Sequence, residues 1–472
     1  MDFEKVKRRQ SLKVIISEAI MVIAVITTVT ILAFLVSGYW INSDLKLERQ
    51  GLLQISSIPT GASVYIDGDS SWFQNTNTSK VLPSGEHTIT LTKEGYDSWS
   101  KTINIAEGLL YRLHYPRLFL NERTQENILA TKDTKLATFS SDHNYLLLIN
   151  ESSKWTLVNL NNDNVKPTEF DISDVFNDII NANEKFPVDK ILSIDWDYDS
   201  NHILLKLENN EYPEWALLDV KNPSKSINLT KEFSGNFSEI QILDNSSNNL
   251  LAIQNNNLQK IDIPSKSLSA VLVKDIITFD HYDNSEVIFS AKKPSNGNEN
   301  SNENSNYYVG LLKLGDDKII NLQDTISPAK VTLSKFYDDQ YITILVDDIV
   351  SVYKKEGFIK SFEYKLSFTP ESLKVGHNGE FITMSSDNKI ATLDMESMSI
   401  IEWTIENENF NWIDNDMISV TEENNLIVYD YDGLNRRVIA NNALDNSPAA
   451  ITNNKWLYYF TENNLVREVI NN

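Results

Sequence analysis

The side chains best placed for chemistry form an acidic cluster in which Asp195, Asp197 and Asp199 alternate with two aromatic residues. Carboxylates on alternate residues are typical of Ca²⁺ loops, because hard cations take several oxygen ligands from alternating loop positions. The sixth position of such a loop needs Gly but holds Ser200, and the twelfth needs Glu but holds Lys206. We therefore predict a solvated turn between two strands, with a metal site as the alternative, and no cofactor.

A second candidate site is the aromatic pair Trp72 and Phe73, which lies in a polar stretch. Adjacent aromatic rings can form a stacking platform for a sugar or an anchor for a neighbouring protein. They can equally cover the end of a small β-domain, and we favour this structural interpretation. Trp72 and Phe73 are nevertheless the only ligand-binding residues that the sequence suggests.

Motifs for catalysis are absent from the sequence. It contains no Gly-x-Ser-x-Gly nucleophile turn, no His-Glu-x-x-His metal motif and no phosphate loop. Pairs such as Asp347 and Asp348 could hold a general acid and base, but 66 acidic residues place such pairs everywhere. The histidines lack ligand spacing and are interpreted as ordinary strand or surface residues: His87, His114, His143, His202, His281 and His377. We predict that the protein is not an enzyme and assign no catalytic residue.

The composition narrows the class of partner. A formal net charge of −24 argues against nucleic acid, because binding to phosphates requires cationic side chains that displace condensed counterions. The absence of cysteine excludes disulfides, thiolate nucleophiles and Cys-ligated metals. With 41% hydrophobic residues, the chain can instead rest its stability on a large core.

Val14 to Ile41 is the stretch that positions the rest of the chain. It is nearly continuously apolar from Ala19 to Val36, and about twenty such helical residues cross the roughly 30 Å hydrocarbon core of a bilayer. We predict a transmembrane helix at 14–41, with an uncleaved anchor favoured over a secretory signal because the apolar run is long and no Ala-x-Ala site follows it. The residues expected to contact lipid include Ala19, Ile23, Ile26, Ile31, Phe34 and Val36.

Charges that flank this stretch predict its orientation. Five basic residues precede it within residues 1–13, whereas the charges after it nearly balance. The positive-inside rule then places residues 1–13 in the cytoplasm and the remainder outside the cell membrane. A cytoplasmic tail this short cannot fold into an effector domain. Residues 42–50 are predicted to form a polar stalk.

Residues 51–120 show the period-two alternation of β-strands. Ala62, Val64 and Ile66 fall on one face, and Gly- and Pro-containing turns separate the successive strands. The pattern predicts a small antiparallel β-sandwich.

Within this region, the sequence resembles the PEGA domain family. The resemblance rests on four short motifs in the family's order: Pro59-Thr60-Gly61-Ala62, Val64-Tyr65-Ile66-Asp67-Gly68, Leu82-Pro83-x-Gly85-x-His87 and Gly95-Tyr96. Thr60 replaces the Glu for which the family is partly named, and the family's Gly-x-Thr-Pro loop is replaced at 75–78. The resemblance implies a prokaryotic cell-surface module that displays, spaces or binds, with no activity of its own.

From residue 121 to 472 the chain repeats a unit of about forty residues, the period of four-stranded propeller blades. We count about eight units and predict a seven- or eight-bladed β-propeller. The paired apolar strands begin near Leu136, Ile191, Ile240, Ile276, Val331, Leu373, Phe410 and Ala449. The turns at 139–146 and 196–203 resemble TolB-type, WD-like propellers, although they lack the Pro and Gly of that family's turn.

Three further features qualify the propeller. The last unit lacks a fourth strand, and a strand near Thr124 to Thr131 is predicted to complete it, which removes an exposed sheet edge. Residues 294–306 are polar and are predicted to form a disordered loop. An amphipathic helix is predicted within 168–187, its apolar stripe packing on the propeller, with partner docking as the alternative: Ile172, Val175, Phe176, Ile179 and Ile180.

These patterns predict an all-β ectodomain, a PEGA-like sandwich followed by a propeller, on one N-terminal transmembrane helix. The leading interpretation is a membrane-anchored cell-surface protein whose propeller binds an envelope protein or polysaccharide. The alternatives are a glycan-active propeller enzyme that uses channel carboxylates, and a purely structural envelope spacer. Carboxylates that converge in a deep channel would favour the enzyme, whereas a flat face with exposed aromatics would favour binding.

Overall fold

The computed structural model describes residues 3–36, 39–41, 47–161, 165–177, 180, 185–209, 212–243, 248–294, 306–316, 318–407 and 409–472. Side chains at 3–15, 35–36, 39–41, 47–49 and 70–74 are outside the described set. The chain divides into two compact units, Met1–Glu122 with Asn471 and Arg123–Ile470 with Asn472. Each unit is described by itself.

The first unit opens with one long helix, α1, at Phe3–Val36. Its segment Ile16–Phe34 has a mean hydropathy of 2.2 and is wholly exposed, so by length and composition it can cross a membrane. The threonine hydroxyls in this segment each donate a hydrogen bond of 2.8 Å to the carbonyl four residues earlier: Thr27, Thr28 and Thr30. These three hydroxyls are therefore paired within the helix and do not oppose its burial in lipid.

The predicted span of Val14–Ile41 is too long at its C-terminal end. The helix ends at Val36, and Tyr39–Ile41 form a strand, β1, that pairs with residues 47–49. The Tyr-Trp-Ile sequence of this strand is aromatic and β-branched, which favours strand over helix. The predicted stalk at 42–50 is also too long, because Leu47–Ile55 form strand β2; residues 42–46 lie outside the described residues.

Two four-stranded sheets make up the β-domain of the first unit. One has the order β1-β2-β5, with β8 paired to β2, and the other has the order β4-β3-β6-β7. The remaining strands are β3 (Ser63–Ile66), β4 (Asp69–Asn75), β5 (Thr78–Pro83), β6 (Gly85–Thr92), β7 (Trp99–Ile105) and β8 (Leu110–Leu113). The prediction of an antiparallel domain was wrong in one pair, since β2 and β8 run parallel.

The predicted alternation places the core of this domain correctly. Ala62, Val64 and Ile66 are buried, while Ser63 and Asp67 between them are exposed. Strand β7 alternates in the same way, with every second side chain from Trp99 to Ile105 buried. One face of each strand therefore supplies the core, as a period of two requires.

Replacing Gly51 with alanine is expected to destabilise the β-domain. An added Cβ would lie 2.4 Å from Ile105 Cγ2 and 2.6 Å from the Ala106 carbonyl oxygen, so backbone must shift. We expect a loss of about 1–3 kcal/mol, the usual effect of overpacking a core. Hydrogen exchange of the amides in β2 and β7 of the full chain measures the loss. Gln54→Ala, an exposed change on the same strand, is the control, and equal exchange in the two variants would contradict the prediction.

The second unit contains eight consecutive four-stranded antiparallel sheets in its described residues, here called blades 1 to 8. Blade 1 comprises β10 (Leu136–Phe139), β11 (Tyr145–Ile149), β12 (Lys154–Asn159) and β13 (Pro167–Asp171), and blade 2 comprises β14 (Ile191–Trp196), β15 (His202–Leu207), β16 (Glu214–Asp219) and β17 (Ile227–Asn228). Blade 3 comprises β18 (Phe237–Ile242), β19 (Asn249–Gln254), β20 (Asn257–Asp262) and β21 (Ser267–Leu268), and blade 4 comprises β22 (Ile276–His281), β23 (Glu286–Lys292), β24 (Tyr307–Lys313) and β25 (Lys318–Thr325).

Blades 5 to 8 follow the same plan. Blade 5 comprises β26 (Ala329–Phe336), β27 (Asp339–Val346), β28 (Ile349–Lys354) and β29 (Ile359–Lys365), and blade 6 comprises β30 (Ser372–Val375), β31 (Phe381–Ser386), β32 (Lys389–Asp394) and β33 (Ser399–Thr404). Blade 7 comprises β34 (Asn411–Asp414), β35 (Met417–Glu422), β36 (Asn425–Asp430) and β37 (Arg437–Asn441), and blade 8 comprises β38 (Ala450–Thr452), β39 (Trp456–Phe460), β40 (Asn464–Val469) and β9 (Gln125–Ala130). Short helices interrupt the connections at Val188–Lys190, Pro223–Lys225, Leu229–Phe233 and Glu356–Phe358.

Strand β9, at the start of the second unit, completes blade 8. It pairs antiparallel with β40, with Leu129 opposite Leu465. This is the closing strand that the sequence predicts near Thr124 to Thr131. A salt bridge of 2.5 Å from the buried Arg467 to the exposed Glu126 joins the same two strands.

Hydrophobic side chains between blades close the ring. Leu146 and Leu148 of blade 1 share one core with Tyr458, Phe460 and Leu465 of blade 8. Comparable hydrophobic cores join each pair of consecutive blades from blade 1 through blade 7. Blades 7 and 8 are in contact through β34 and β38. The eight sheets therefore form a closed β-propeller, whose fold class the sequence predicts correctly.

The insertion after blade 1 differs in part from the prediction. Residues 167–171 are strand β13, so the proposed helix cannot begin at 168. Ile172, Val175 and Phe176 are buried in the core between blades 1 and 2, and Ile180 packs against it. The apolar stripe thus packs on the propeller; Ile179 lies outside the described residues, as do residues 295–305 of the predicted disordered loop.

A candidate binding channel in the propeller

A cavity of about 1640 Å³ occupies the centre of the propeller. Residues of β10, β14, β18, β22, β26, β30 and β34 line it, and blade 8 contributes Pro448 and Ala449 just before β38. Each of these strands is the first of its blade and lies at one edge of its sheet. Those edges form the inner wall, so side chains from different parts of the sequence converge on one channel.

Carboxylates from three consecutive blades lie on this wall. Asp195 comes from β14 of blade 2, Glu239 from β18 of blade 3 and Asp280 from β22 of blade 4. Ser193 donates a hydrogen bond of 2.8 Å to Asp195, and Gln241 donates one of 2.8 Å to Glu239. Polar neighbours on the same strands therefore orient both carboxylates.

The electrostatics of the three carboxylates are linked at Glu239. Burial raises its pKa above the ordinary value of 4.5, and repulsion from Asp280 and Asp195 acts in the same direction. The hydrogen bond from Gln241 and the charge of Lys206 oppose the rise. Glu239 thus holds a proton more readily than a solvated glutamate.

Asp280 also joins two blades. Its Oδ2 accepts hydrogen bonds from Thr332 Oγ1 and, at 3.1 Å, from the Leu333 backbone N–H of blade 5. Burial raises the pKa of Asp280 above 3.8, against the bond from Thr332 and the attraction of His281. A carboxylate so enclosed is fixed in position by the neighbouring blade.

Lysines supply the opposite charge in the channel. Lys206 Nζ lies 5.0 Å from the ring centroid of Trp215 and donates to the Ser238 carbonyl at 3.1 Å. Further lysines lie on the wall of blades 5 and 6, which follow the acidic blades around the ring: Lys330, Lys335 and Lys374. The channel wall therefore carries both acidic and basic side chains.

The mouth at the turns between first and second strands carries aromatic side chains. Tyr198 and Tyr282 are 63% and 47% exposed and line the channel. A smaller cavity of about 230 Å³ adjoins it and is lined in part by His143, His377 and Asp414. Burial holds the pKa of His143 below 6.5, against the opposing attraction of Asp414.

The acidic cluster that the sequence singles out is divided between two roles. Asp195 and Asp197 both line the channel. Asp197 also fixes its turn by accepting from the backbone N–H groups of Asn201 at 2.6 Å and His202 at 3.0 Å. Asp142 fixes the equivalent turn of blade 1 through Asn144. Among the described residues, the three aspartates of the cluster do not gather their oxygens into one metal-binding group.

The aromatic pair Trp72 and Phe73 lies in strand β4, and its side chains are outside the described residues. Of the channel residues, the sequence singled out only Asp195 and Asp197 as site candidates. The signal that could have found the others is position: the first strand of each forty-residue repeat supplies the wall. Glu239 and Asp280 occupy that strand in two successive repeats, and His281, interpreted as an ordinary residue, also lines the channel.

The raised pKa of Glu239 predicts a pH-dependent effect of Glu239→Gln. A carboxyl whose pKa is higher in the folded state contributes stability below its unfolded pKa and loses it as the pH rises through the folded value. We expect the variant to be more stable than wild type well above pH 4.5, with a smaller difference below it. Thermal unfolding at several pH values measures this. Glu371→Gln, an exposed change, is the control, and a pH-independent difference would contradict the assignment.

Comparison with known protein families identifies the β-domain of the first unit. Residues 50–116 match the PEGA domain family, which confirms the resemblance read from the turns of the sequence. No curated protein sequence matches the chain.

Solved structures similar to the chain are propellers of low sequence identity. The C-terminal WD40 domain of Sif2 has a TM-score of 0.44 and 11% identity, covering 73% of this chain and 98% of that one. An oligogalacturonate lyase from Vibrio parahaemolyticus has a TM-score of 0.37 and 12% identity, covering 58% and 88%. Kluyvelomyces marxianus Hsv2 has a TM-score of 0.39 and 12% identity, covering 65% and 93%. The propeller assignment itself rests on the eight sheets.

Proposed function

We propose that this chain is a membrane-tethered, extracytoplasmic binding protein whose propeller binds a segment of an envelope polysaccharide in its central channel. The observation that carries the proposal is the channel itself. Its volume of about 1640 Å³ exceeds the 300–1,000 Å³ typical of small-molecule pockets. A segment of several sugar units suits such a space better than one metabolite.

The lining chemistry supports a glycan over other polymers. Carboxylates such as Asp195 and Glu239 accept hydrogen bonds from sugar hydroxyls, and hydroxyls and amides on the same wall can both donate and accept. Exposed Tyr282 offers a face on which the apolar side of a sugar ring can stack. A wall with both acidic and basic side chains suits a neutral or mixed-charge glycan, whereas nucleic acid requires a basic surface.

The tethering part of the proposal rests on α1. The segment Ile16–Phe34 is long and apolar enough to cross a membrane, and the basic residues before it favour a cytoplasmic N-terminus. Protease added to protoplasts should digest the region from 121 to 472. Complete protection of that region, with digestion after lysis, would reverse the topology.

Glycan binding is tested with the full chain in detergent on an array of envelope polysaccharides. We expect the double variant Asp195→Asn, Glu239→Gln to weaken binding by about tenfold or more, since each lost charge-assisted hydrogen bond is worth about 1.5–3 kcal/mol. Asp199→Asn removes an exposed acid outside the channel wall and should bind as wild type does. No binding to any glycan, or equal binding by both variants, would overturn the proposal.

A second candidate function is glycan hydrolysis in the same channel. The observation that favours it is Glu239, whose burial beside Asp195 and Asp280 favours the protonated form that a general acid needs. New reducing ends, released from a glycan by wild type and not by Glu239→Gln, would establish the enzyme. Glycan binding without release of new reducing ends would identify a binding protein and not an enzyme. Neither binding nor release would favour the structural spacer.

A further inference from the structure

Two aromatic side chains from different blades meet at the mouth of the channel. Tyr198 lies in the turn between β14 and β15 of blade 2, and His377 in the turn between β30 and β31 of blade 6. Their rings are stacked, with centroids 4.7 Å apart and planes 16° apart. Both side chains line the channel.

The positions of the two blades give the stack its significance. In a closed ring of eight, blades 2 and 6 are four steps apart in either direction and therefore face each other across the channel. Turns between the first and second strands of all blades lie at the same end of the channel, because each first strand runs in the same direction. Tyr198 and His377 consequently form a bar across that mouth.

The bar formed by Tyr198 and His377 has few contacts of its own, whereas the turns that carry the two residues are held by hydrogen bonds. Asp197 fixes the turn of Tyr198 through the backbone of Asn201 and His202, and Gly376 N–H donates to the Phe381 carbonyl at 2.7 Å in the opposite turn. Neither ring makes a hydrogen bond or ion pair within the described residues.

An aromatic pair contributes about 0.5–1.5 kcal/mol, which corresponds to about two- to tenfold in an equilibrium constant. Separating the two rings therefore costs little free energy, while hydrogen bonds hold the turns that carry them.

We propose that Tyr198 and His377 are specificity-determining residues that bar this mouth and limit the size of ligand that enters the channel. The proposal deepens the binding function proposed above and rests on it for its biological meaning. A bar of two separable side chains excludes wide or branched polymers when closed and admits a narrow segment when open. Its effect on access is a property of the protein alone.

The absence of cysteine allows access to be measured without knowing the ligand. Thr278→Cys places one thiol on the channel wall, with Ser193→Cys as a second reporter, and Ser399→Cys places one on an exposed outer strand as the reference. Each full-length variant is labelled with N-ethylmaleimide and with a polyethylene glycol maleimide. We expect the channel thiols to react more slowly with the bulky reagent, relative to the reference.

Removing the bar should speed this labelling. Tyr198→Ala and His377→Ala are each expected to raise the bulky-reagent rate at the channel thiols by about two- to tenfold. Tyr198→Phe keeps the stacking ring, and Tyr282→Ala removes another exposed tyrosine at the same mouth, so both should label as the parent does. Unchanged rates in Tyr198→Ala and His377→Ala at both reporters, or equal acceleration by Tyr282→Ala, would overturn the bar.

The glycan array distinguishes failure of the proposed bar from failure of the proposed glycan-binding function. Faster labelling together with binding of additional, wider glycans by Tyr198→Ala supports the proposal in full. Faster labelling with no glycan bound by any variant retains the bar but removes the proposed function and, with it, the specificity role. Glycan binding whose selectivity is identical in wild type and Tyr198→Ala overturns that role alone.

Discussion

Leu465→Asp is expected to open the propeller ring. Leu465 is fully buried in β40, pairs with Leu129 of the closing strand and packs with Leu146 and Leu148 of blade 1. An aspartate there would place an unpaired charge in the core that joins the last blade to the first. Leaving a buried charge without a partner costs about 3–5 kcal/mol, a large part of the stability of most domains.

Calorimetry of the full chain measures the effect as a fall in the temperature of the propeller transition. Limited proteolysis should also cut near β9 in the variant before it does so in wild type. Asn463→Asp adds the same charge at an exposed position two residues away and serves as the control. If Leu465→Asp unfolds like this control, β9 does not close the ring.

Phe176→Ala is expected to lower the free energy of unfolding by about 3–5 kcal/mol, the range for truncating a buried phenylalanine. Phe176 is fully buried, with its ring centroid 5.4 Å from that of Phe186, which lies 5.1 Å from Trp155. The three rings fill the core between blades 1 and 2. Truncation removes one of the two aromatic rings that the insertion contributes to this core.

Denaturant unfolding of the propeller, followed through Trp fluorescence, tests this loss. Asp174→Ala, an exposed change two residues earlier, should alter stability by less than about 0.5 kcal/mol. A similarly small effect of Phe176→Ala would mean that the stripe does not pack on the propeller, and would revive the alternative of a partner-docking helix.

Much of the fold follows from the sequence because its strands alternate and its repeat is regular. Eight repeats and a missing last strand are enough to predict a ring closed by residues near Thr124 to Thr131, since an open edge is unfavourable. The helix boundary at Val36 and the strand at Tyr39–Ile41 were missed. Hydrophobicity extends through Ile41, and hydrophobicity alone does not distinguish lipid-facing helix from sheet.

The candidate channel was not predictable residue by residue. In the sequence, Asp195 is a candidate because two other aspartates follow it closely. In the structure, its acidic neighbours are Glu239 and Asp280, which lie in the next two repeats. Their convergence depends on which strand of each blade is innermost, and period-two alternation carries no such information. The contact between Tyr198 and His377 depends further on the number of blades, which the sequence left at seven or eight.

The closing strand has a consequence for biogenesis. Glu126 and Arg467, which join β9 to β40, are 341 residues apart, so β9 leaves the ribosome long before its partner exists. Contacts between such distant segments form slowly, because the intervening chain must first be ordered. Until β40 arrives, the apolar side of blade 1 that carries Leu146 and Leu148 has no cover, and the nascent propeller is prone to aggregation. The propeller therefore places its greatest demand on folding assistance at the end of synthesis, when blade 8 is assembled from both ends of the propeller sequence.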